Sequence, residues 1–140
     1  MALDLGDRRT GVALSDAEGW LASPLKVLTA ASQKQVVATI AELAVAHEVH
    51  GVVVGLPLNM DGTEGPQAAR ARRLAQRLRK RLGLDVILWD ERLSTFAAQE
   101  SLAHLRPARR RERIDAVAAA IILQGYLDSM GGGQSREPGQ

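Results

Sequence analysis

The stretch Ala2-Leu3-Asp4-Leu5-Gly6-Asp7-Arg8-Arg9-Thr10-Gly11-Val12-Ala13-Leu14 decides how the rest of the chain is read. Two short apolar runs, Ala2 to Leu5 and Gly11 to Leu14, flank the turn-rich connection Gly6 to Thr10, and together they spell a β-hairpin. Asp4 sits inside the first run between two leucines. Aspartate is disfavoured within strands, and a buried unpaired charge is costly. Asp4 therefore either alternates onto an exposed face or belongs to a site that uses it. Gly6 and Gly11 either only shape the hairpin or let a phosphate approach the backbone closely.

Beyond the hairpin, Leu25 to Leu28 reads as a third strand after the Ser23-Pro24 break. Ser32 is a candidate N-cap for a helix reaching about His47, with Val36, Val37, Ile40, Leu43 and Ala44 at helical spacing. Gly51 to Leu56 is an apolar run without polar alternation, which suits a central parallel strand covered on both faces. Pro57 to Gly65 reads as a loop. A helix from about Pro66 to Leu82 follows, closed by Gly83. Asp85 to Trp89 reads as the next buried strand. A third helix is expected from Ser94 or Thr95 to about Leu105, an arginine-dense loop from Pro107 to Glu112, and a last helix from about Arg113 to Ser129. The order β-β-β-α-β-α-β-α-α predicts an α/β fold, a mixed sheet with helices on both faces and ligands at the carboxyl ends of its strands. The expected organisation is one domain over 1–129 and a flexible tail over 130–140, rich in glycine.

The 140 residues contain no cysteine, which excludes disulfides, thiol nucleophiles and zinc ribbons. Three histidines leave little room for a histidine-rich metal site. Apolar runs such as Ala116 to Leu123 are far shorter than the roughly 20 residues of a membrane span. Met1 leads directly into Ala2-Leu3-Asp4, with no basic region ahead of an apolar one. The expectation is a cytoplasmic chain with no membrane partner.

Net charge is only +2, but twelve of the 18 basic residues fall in two segments. One runs from Arg70 to Arg81, and no acid lies between Gly65 and Leu84; Arg70, Arg73, Arg77 and Arg81 recur along one helix face. The other holds Arg106, Arg109, Arg110, Arg111 and Arg113. Such density is either a footprint for polyanions or a solvated exterior. Arg8 and Arg9 add two cations to the hairpin turn.

With thiols absent and imidazoles few, the available chemistry rests on carboxylates. Glu91 follows the strand Val86 to Trp89 at its carboxyl end. Asp115 falls in the first turn of the last helix, where an acid also suits the helix dipole. Adjacent strands and a packed terminal helix can gather Asp4, Glu91 and Asp115. Clustered carboxylates repel unless cations neutralise them, and magnesium or manganese prefers oxygen ligands. Two such ions suit phosphodiester cleavage, with the basic segments holding a nucleic-acid backbone. Asn59 could bind substrate or brace its loop.

The sequence resembles the YqgF/RuvX family, whose members are named as Holliday-junction resolvases and as pre-16S ribosomal RNA nucleases. Four blocks carry the resemblance: Ala2-Leu3-Asp4-Leu5-Gly6 with Gly11-Val12-Ala13; Val54-Gly55-Leu56-Pro57-Leu58-Asn59-Met60-Asp61-Gly62; Asp90-Glu91-Arg92-Leu93-Ser94-Thr95; and Ile114-Asp115-Ala116-Val117-Ala118-Ala119. They span residues 1 to 128. The resemblance implies a ribonuclease H-like fold with five strands, the first three antiparallel. It maps metal-binding acids onto Asp4, Glu91 and Asp115, with Asp90 the rival for the middle role. Arg92, Ser94 and Thr95 are expected to organise their loop or contact phosphate. The implied activity is divalent-metal-dependent hydrolysis in maturing precursor 16S ribosomal RNA, with ribosomal precursor particles as partners. A branched-DNA resolvase is the alternative, acting as a homodimer rather than a monomer. A non-catalytic RNA-binding assembly factor would use the same basic surfaces. Asp4-Leu5-Gly6 with Gly11 also resembles the phosphate loop of actin-like and sugar-kinase-like ATPases, which need two such domains where this chain has room for one.

Overall fold

Alternation in the first strand sets the layers. Ala2 and Asp4 point to one side of the sheet, and Leu3 and Leu5 to the other. The structure, a computed structural model, describes residues 1–29, 32–93 and 110–131, with the backbone alone at 110–115 and 131. Strands β1 (Ala2–Leu5), β2 (Arg9–Ser15) and β3 (Ala22–Thr29) form an antiparallel meander. Helix α1 (Gln33–Ala46) leads to β4 (Gly51–Leu56), and α2 (Pro66–Leu82) leads to β5 (Asp85–Asp90). A single 3-10 turn, Glu91–Leu93, follows β5, and α3 (Arg110–Gly131) closes the described chain. The five-stranded sheet has the order β3-β2-β1-β4-β5, with β4 parallel to both β1 and β5. The expected mixed sheet with three antiparallel leading strands is therefore present.

Local signals behave as the residues dictate. Ser32 caps α1, its hydroxyl accepting from the Gln35 amide at 3.3 Å. Pro66 opens α2, and Gly83 ends it at φ +67°, donating to the Arg79 carbonyl. Side chains from α1, α2 and one sheet face form the larger core, around Leu3, Val12, Ile40, Val54, Leu74 and Leu78. The other face packs on α3 through Ala2, Ala13, Ala22, Val53, Ala119 and Ile122. Gln124, buried on α3, ties that helix to the β2–β3 turn: it accepts from the Ala22 amide and donates to the Trp20 carbonyl.

Several boundaries differ from the sequence reading. Arg9 and Thr10 belong to β2 rather than to the turn, because the β1 ladder continues to Leu5 opposite Thr10. Strand β3 begins at Ala22 and includes Ser23 and Pro24, which an edge strand tolerates. Between Val12 and Ala13 the pairing jumps from Lys26 to Pro24, so Leu25 is a bulged residue. Strand β5 lies at the sheet edge and is only partly buried, with Ile87 exposed. The last helix starts at Arg110 and reaches Gly131, so Arg110 to Glu112 and residues 130–131 are helical. The expected third helix, most of the arginine-dense loop and the remaining tail lie outside the described residues. Among the described residues no helix is long and apolar enough to cross a membrane.

Candidate active site

The parallel register brings the carboxyl ends of β1, β4 and β5 side by side. Leu3 pairs with Val54, and Gly55 with Trp89. Asp4 thus stands beside Gly55, on the face that packs against α3. Glu91, one residue past β5, turns back over the same point. A Cβ built on Gly55 would lie 2.7 Å from Glu91 Oε2 and 2.7 Å from Ile122 Cδ1. Glycine is required there by space: the Glu91 carboxylate occupies the volume a side chain would fill.

Asp4 and Glu91 form a hydrogen-bonded carboxyl pair. Burial pushes the Glu91 carboxyl up to about 7, helped by the negative charge of Asp4, the hydrogen bond to it, and the charge of Asp90. Asp90 behaves oppositely. The Arg92 guanidinium holds its carboxyl below the usual range, through contacts of 3.1 Å from Nε and 2.9 Å from Nη2 to the two carboxylate oxygens. The Arg92 amide also donates to Asp90 Oδ1 at 2.9 Å. Asp90 is thereby the carboxylate that shapes the 3-10 turn, and Glu91 the one that faces Asp4. Asp115 lies within the α3 backbone; its side chain is outside the described residues. Among the described residues no group of three potential metal-ligating side chains is assembled.

The loop after β4 is braced internally. Asn59 Nδ2 donates to Thr63 Oγ1 at 2.8 Å, and the Thr63 hydroxyl donates to Asp61 Oδ1 at 2.6 Å. Asn59 is therefore a bracing residue in this structure. Arg92 Nη1 reaches the Met60 carbonyl at 3.3 Å, which fastens this loop to the 3-10 turn.

The basic candidates separate into two groups. Arg70 donates to Asp7 Oδ1 and to the Gly6 carbonyl, both at 3.0 Å, and so pins the hairpin turn. Arg72 pairs with Glu64, and Arg79 donates to the Val86 carbonyl. Arg8, Arg9, Arg73 and Arg77 are exposed. Ser94, Thr95 and Arg109 lie outside the described residues. Arg110 and Arg111 are in the first turn of α3, and their side chains are not among those described.

Two features escaped the sequence reading. The signal at Gly55 is a glycine inside an otherwise bulky apolar strand, which marks a close approach to the backbone. Thr10 looked like a turn residue and is 2% exposed.

The sequence profile described as "RuvX: Holliday junction resolvase" matches residues 1–129. The chain belongs to the RuvX family. A "Putative pre-16S rRNA nuclease" from Myxococcus xanthus is 52% identical over 131 residues, covering 92% of this chain and 87% of the relative. Proteins of the same name from Pelotomaculum thermopropionicum and Bacillus cytotoxicus are 49% and 44% identical, covering 94% and 92% of this chain and 87% and 97% of those relatives. Among solved structures, this RuvX chain is similar to Thermus thermophilus RuvC in complex with a Holliday junction substrate. The TM-score is 0.63 at 15% identity, covering 91% of this chain and 93% of that one. A second Thermus thermophilus RuvC structure aligns at TM-score 0.59 and 17% identity, covering 93% and 94%. That likeness establishes the RuvC-like, ribonuclease H-like fold.

Proposed function

We propose that this RuvX protein is a divalent-metal-dependent nuclease that hydrolyses phosphodiester bonds in precursor 16S ribosomal RNA. The observation that carries the reading is the Asp4–Glu91 pair, held over the bare backbone of Gly55 at the carboxyl end of the sheet. Two carboxyl groups in contact, one holding its proton to about pH 7, are a site where a bound cation would relieve their mutual repulsion. All their donor atoms are hard oxygens, which fits magnesium or manganese. Asp115 is the proposed third carboxylate. It stands four residues before Ala119 and seven before Ile122, positions that share a helix face, and both are buried toward the sheet.

Bound divalent cations would neutralise these carboxylates and stabilise the charge that develops at a phosphate undergoing hydrolysis. The chain's own part is positional. Strand β1 fixes Asp4, the Asp90–Arg92 clamp fixes the turn that carries Glu91, and Arg92 holds the neighbouring loop through Met60. The exposed Arg73 and Arg77 supply phosphate contacts along α2, with Arg8 and Arg9 at the hairpin. The names of the relatives favour ribosomal RNA as substrate. The family description favours branched DNA as the second reading.

The test incubates purified protein with a labelled precursor ribosomal RNA fragment and, separately, a four-way DNA junction. Each is run with manganese, with magnesium and with chelator, alongside Asp4→Asn. The expected result is RNA cleavage that needs both metal and Asp4, with the junction intact. Paired symmetric nicks in the junction would transfer the assignment to a resolvase. Salt-sensitive RNA binding without turnover would leave a binding factor.

A further inference from the structure

The carboxyl end of the sheet carries a second surface, beside the acidic pair rather than on it. The loop over residues 57–65 leaves β4 there, and the 3-10 turn leaves β5. The loop is fixed by its own polar atoms. The Asn59 amide donates to the Thr63 carbonyl at 2.9 Å, and the Gly62 amide to the Asn59 carbonyl at 2.8 Å. The Thr63 amide donates to Asp61 Oδ1 at 3.0 Å, alongside the side-chain bonds from Asn59 to Thr63 and from Thr63 to Asp61. The Met60 side chain takes no part in this network and is 97% exposed. A lone exposed apolar residue needs no explanation. This one is not alone. Leu93, 50% exposed, directly follows Arg92, whose Nη1 holds the Met60 carbonyl.

Arg92 completes the surface. Its Nε and Nη2 are bonded to Asp90 and its Nη1 to Met60, so all three guanidinium nitrogens are engaged along their edges. The side chain is nevertheless 45% exposed, and what it offers to solvent is its flat face. Guanidinium planes, like aromatic rings, stack on nucleobases. The charges here are already balanced. Asp90 pairs with Arg92 and Glu64 with Arg72, and Asp61 adds a further negative charge. A phosphate gains little at such a surface and is drawn instead to the exposed arginines of α2. A flat, uncharged, partly apolar group gains most.

We infer that Met60, Leu93 and the face of the Arg92 guanidinium form a platform for one unpaired nucleobase, next to the linkage held at Asp4 and Glu91. The inference rests on the nuclease reading above and adds a substrate class to it, a strand whose bases are free to splay out. In a duplex each base face is covered by its neighbours, and no base reaches such a platform without being flipped. The fixed loop serves the same end, because a platform ordered before binding loses less entropy on taking a base.

Methyl NMR of methionine-labelled protein in chelator tests it. The chain has three methionines, and Met60 and Met130 are both exposed, so Met130 near the end of α3 serves as the control. The probes are a short single-stranded RNA and the same RNA annealed to its complement, and cleavage of each is measured in parallel with manganese and with magnesium. Single-stranded RNA should move the Met60 methyl upfield, through the ring current of a stacked base, and leave Met130 in place. Met60→Ala removes only an exposed side chain and keeps the hydrogen bonds of the loop. It should lower the preference for single strand over duplex about three- to tenfold. A single strand that binds and is cleaved with the Met60 methyl unmoved, and equally well in Met60→Ala, would remove the platform and leave the nuclease reading standing. Duplex RNA that moves the Met60 methyl as far as the single strand does would overturn the assignment to an unpaired base. RNA that stacks at Met60 and is cleaved with neither metal would overturn the nuclease reading and leave the platform as a binding surface.

Discussion

The two faces of the sheet are packed with different materials. The α1–α2 face is filled by large branched chains such as Leu3, Ile40, Val54, Leu74 and Leu78. The α3 face is lined largely by alanine, at positions 2, 13, 22, 119 and 120. Bulky interdigitation supplies the dispersion and area burial that hold a fold together. Small residues instead let a helix lie close to the sheet, and this is the face that carries Asp4, Gly55 and the returning Glu91. The strand β1 shows the division residue by residue, because Leu3 and Leu5 face the core while Asp4 between them faces the proposed site. Stability and the proposed chemistry are thus separated by the two-residue period of a strand rather than by distance.

The sharpest way to break this comparison is a pair of neighbouring substitutions. Asp4→Asn should cut cleavage by at least on the order of 10²–10³-fold while leaving the melting temperature nearly unchanged or raised. Leu3→Ala, one residue away, should cost about 2–5 kcal/mol in chemical denaturation and leave activity per folded molecule intact. If both variants lose stability and activity alike, the two faces are not separable.

A second pair works on glycines of β4. Gly55→Ala forces a methyl into the space of Glu91 Oε2 and Ile122 Cδ1, each 2.7 Å away, and should cost about 1–3 kcal/mol together with most of the activity. Gly51→Ala meets only the Asp85 carbonyl, at 3.6 Å, and should alter neither measurement appreciably.

The acidic pair also sets a pH dependence. Glu91 holds its proton to about 7 in the fold, against 4.5 in an unfolded chain. Between those values the folded state binds more protons, so stability falls as pH rises. Metal-free protein should lose about 1–3 kcal/mol across that window in urea titrations, and manganese should recover it near neutrality. In Glu91→Gln the slope should flatten.

The smallest effect concerns the outside of α2. Replacing Arg73 and Arg77 with alanine should lower RNA affinity and reduce the slope of log affinity against log salt by about 0.7 per lost phosphate contact. Circular dichroism should be unchanged, because both side chains are exposed.

Much of this was legible before any coordinates. The hairpin, the apolar β4 and the caps at Ser32, Pro66 and Gly83 all depend on local preferences, and local preferences are written in the chain. Asp4 drew notice because an acid between two strand leucines contradicts its surroundings. What could not be read depends on contacts distant in sequence. The register of β1 on β4 places Gly55 under Glu91, and no spacing rule reveals that. The arginines from 70 to 81 looked equivalent along their segment. In the fold Arg70 is spent on the hairpin turn and Arg79 on the Val86 carbonyl, while Arg73 and Arg77 stay exposed. That Arg92 holds Asp90 while Glu91 faces Asp4 likewise depends on the fold.

The outer strand β3 carries a consequence of its own. An open sheet border is a template on which another polypeptide can lay down a further strand and begin self-association. Here Pro24 deletes a donor from that border, the bulge at Leu25 puts the row out of step, and Lys26 adds charge two residues on. The same irregularities that blurred where the strand begins therefore make it a poor seed for aggregation. Straightening it, with Pro24→Val and Leu25 deleted, should make concentrated protein associate while a dilute sample still folds.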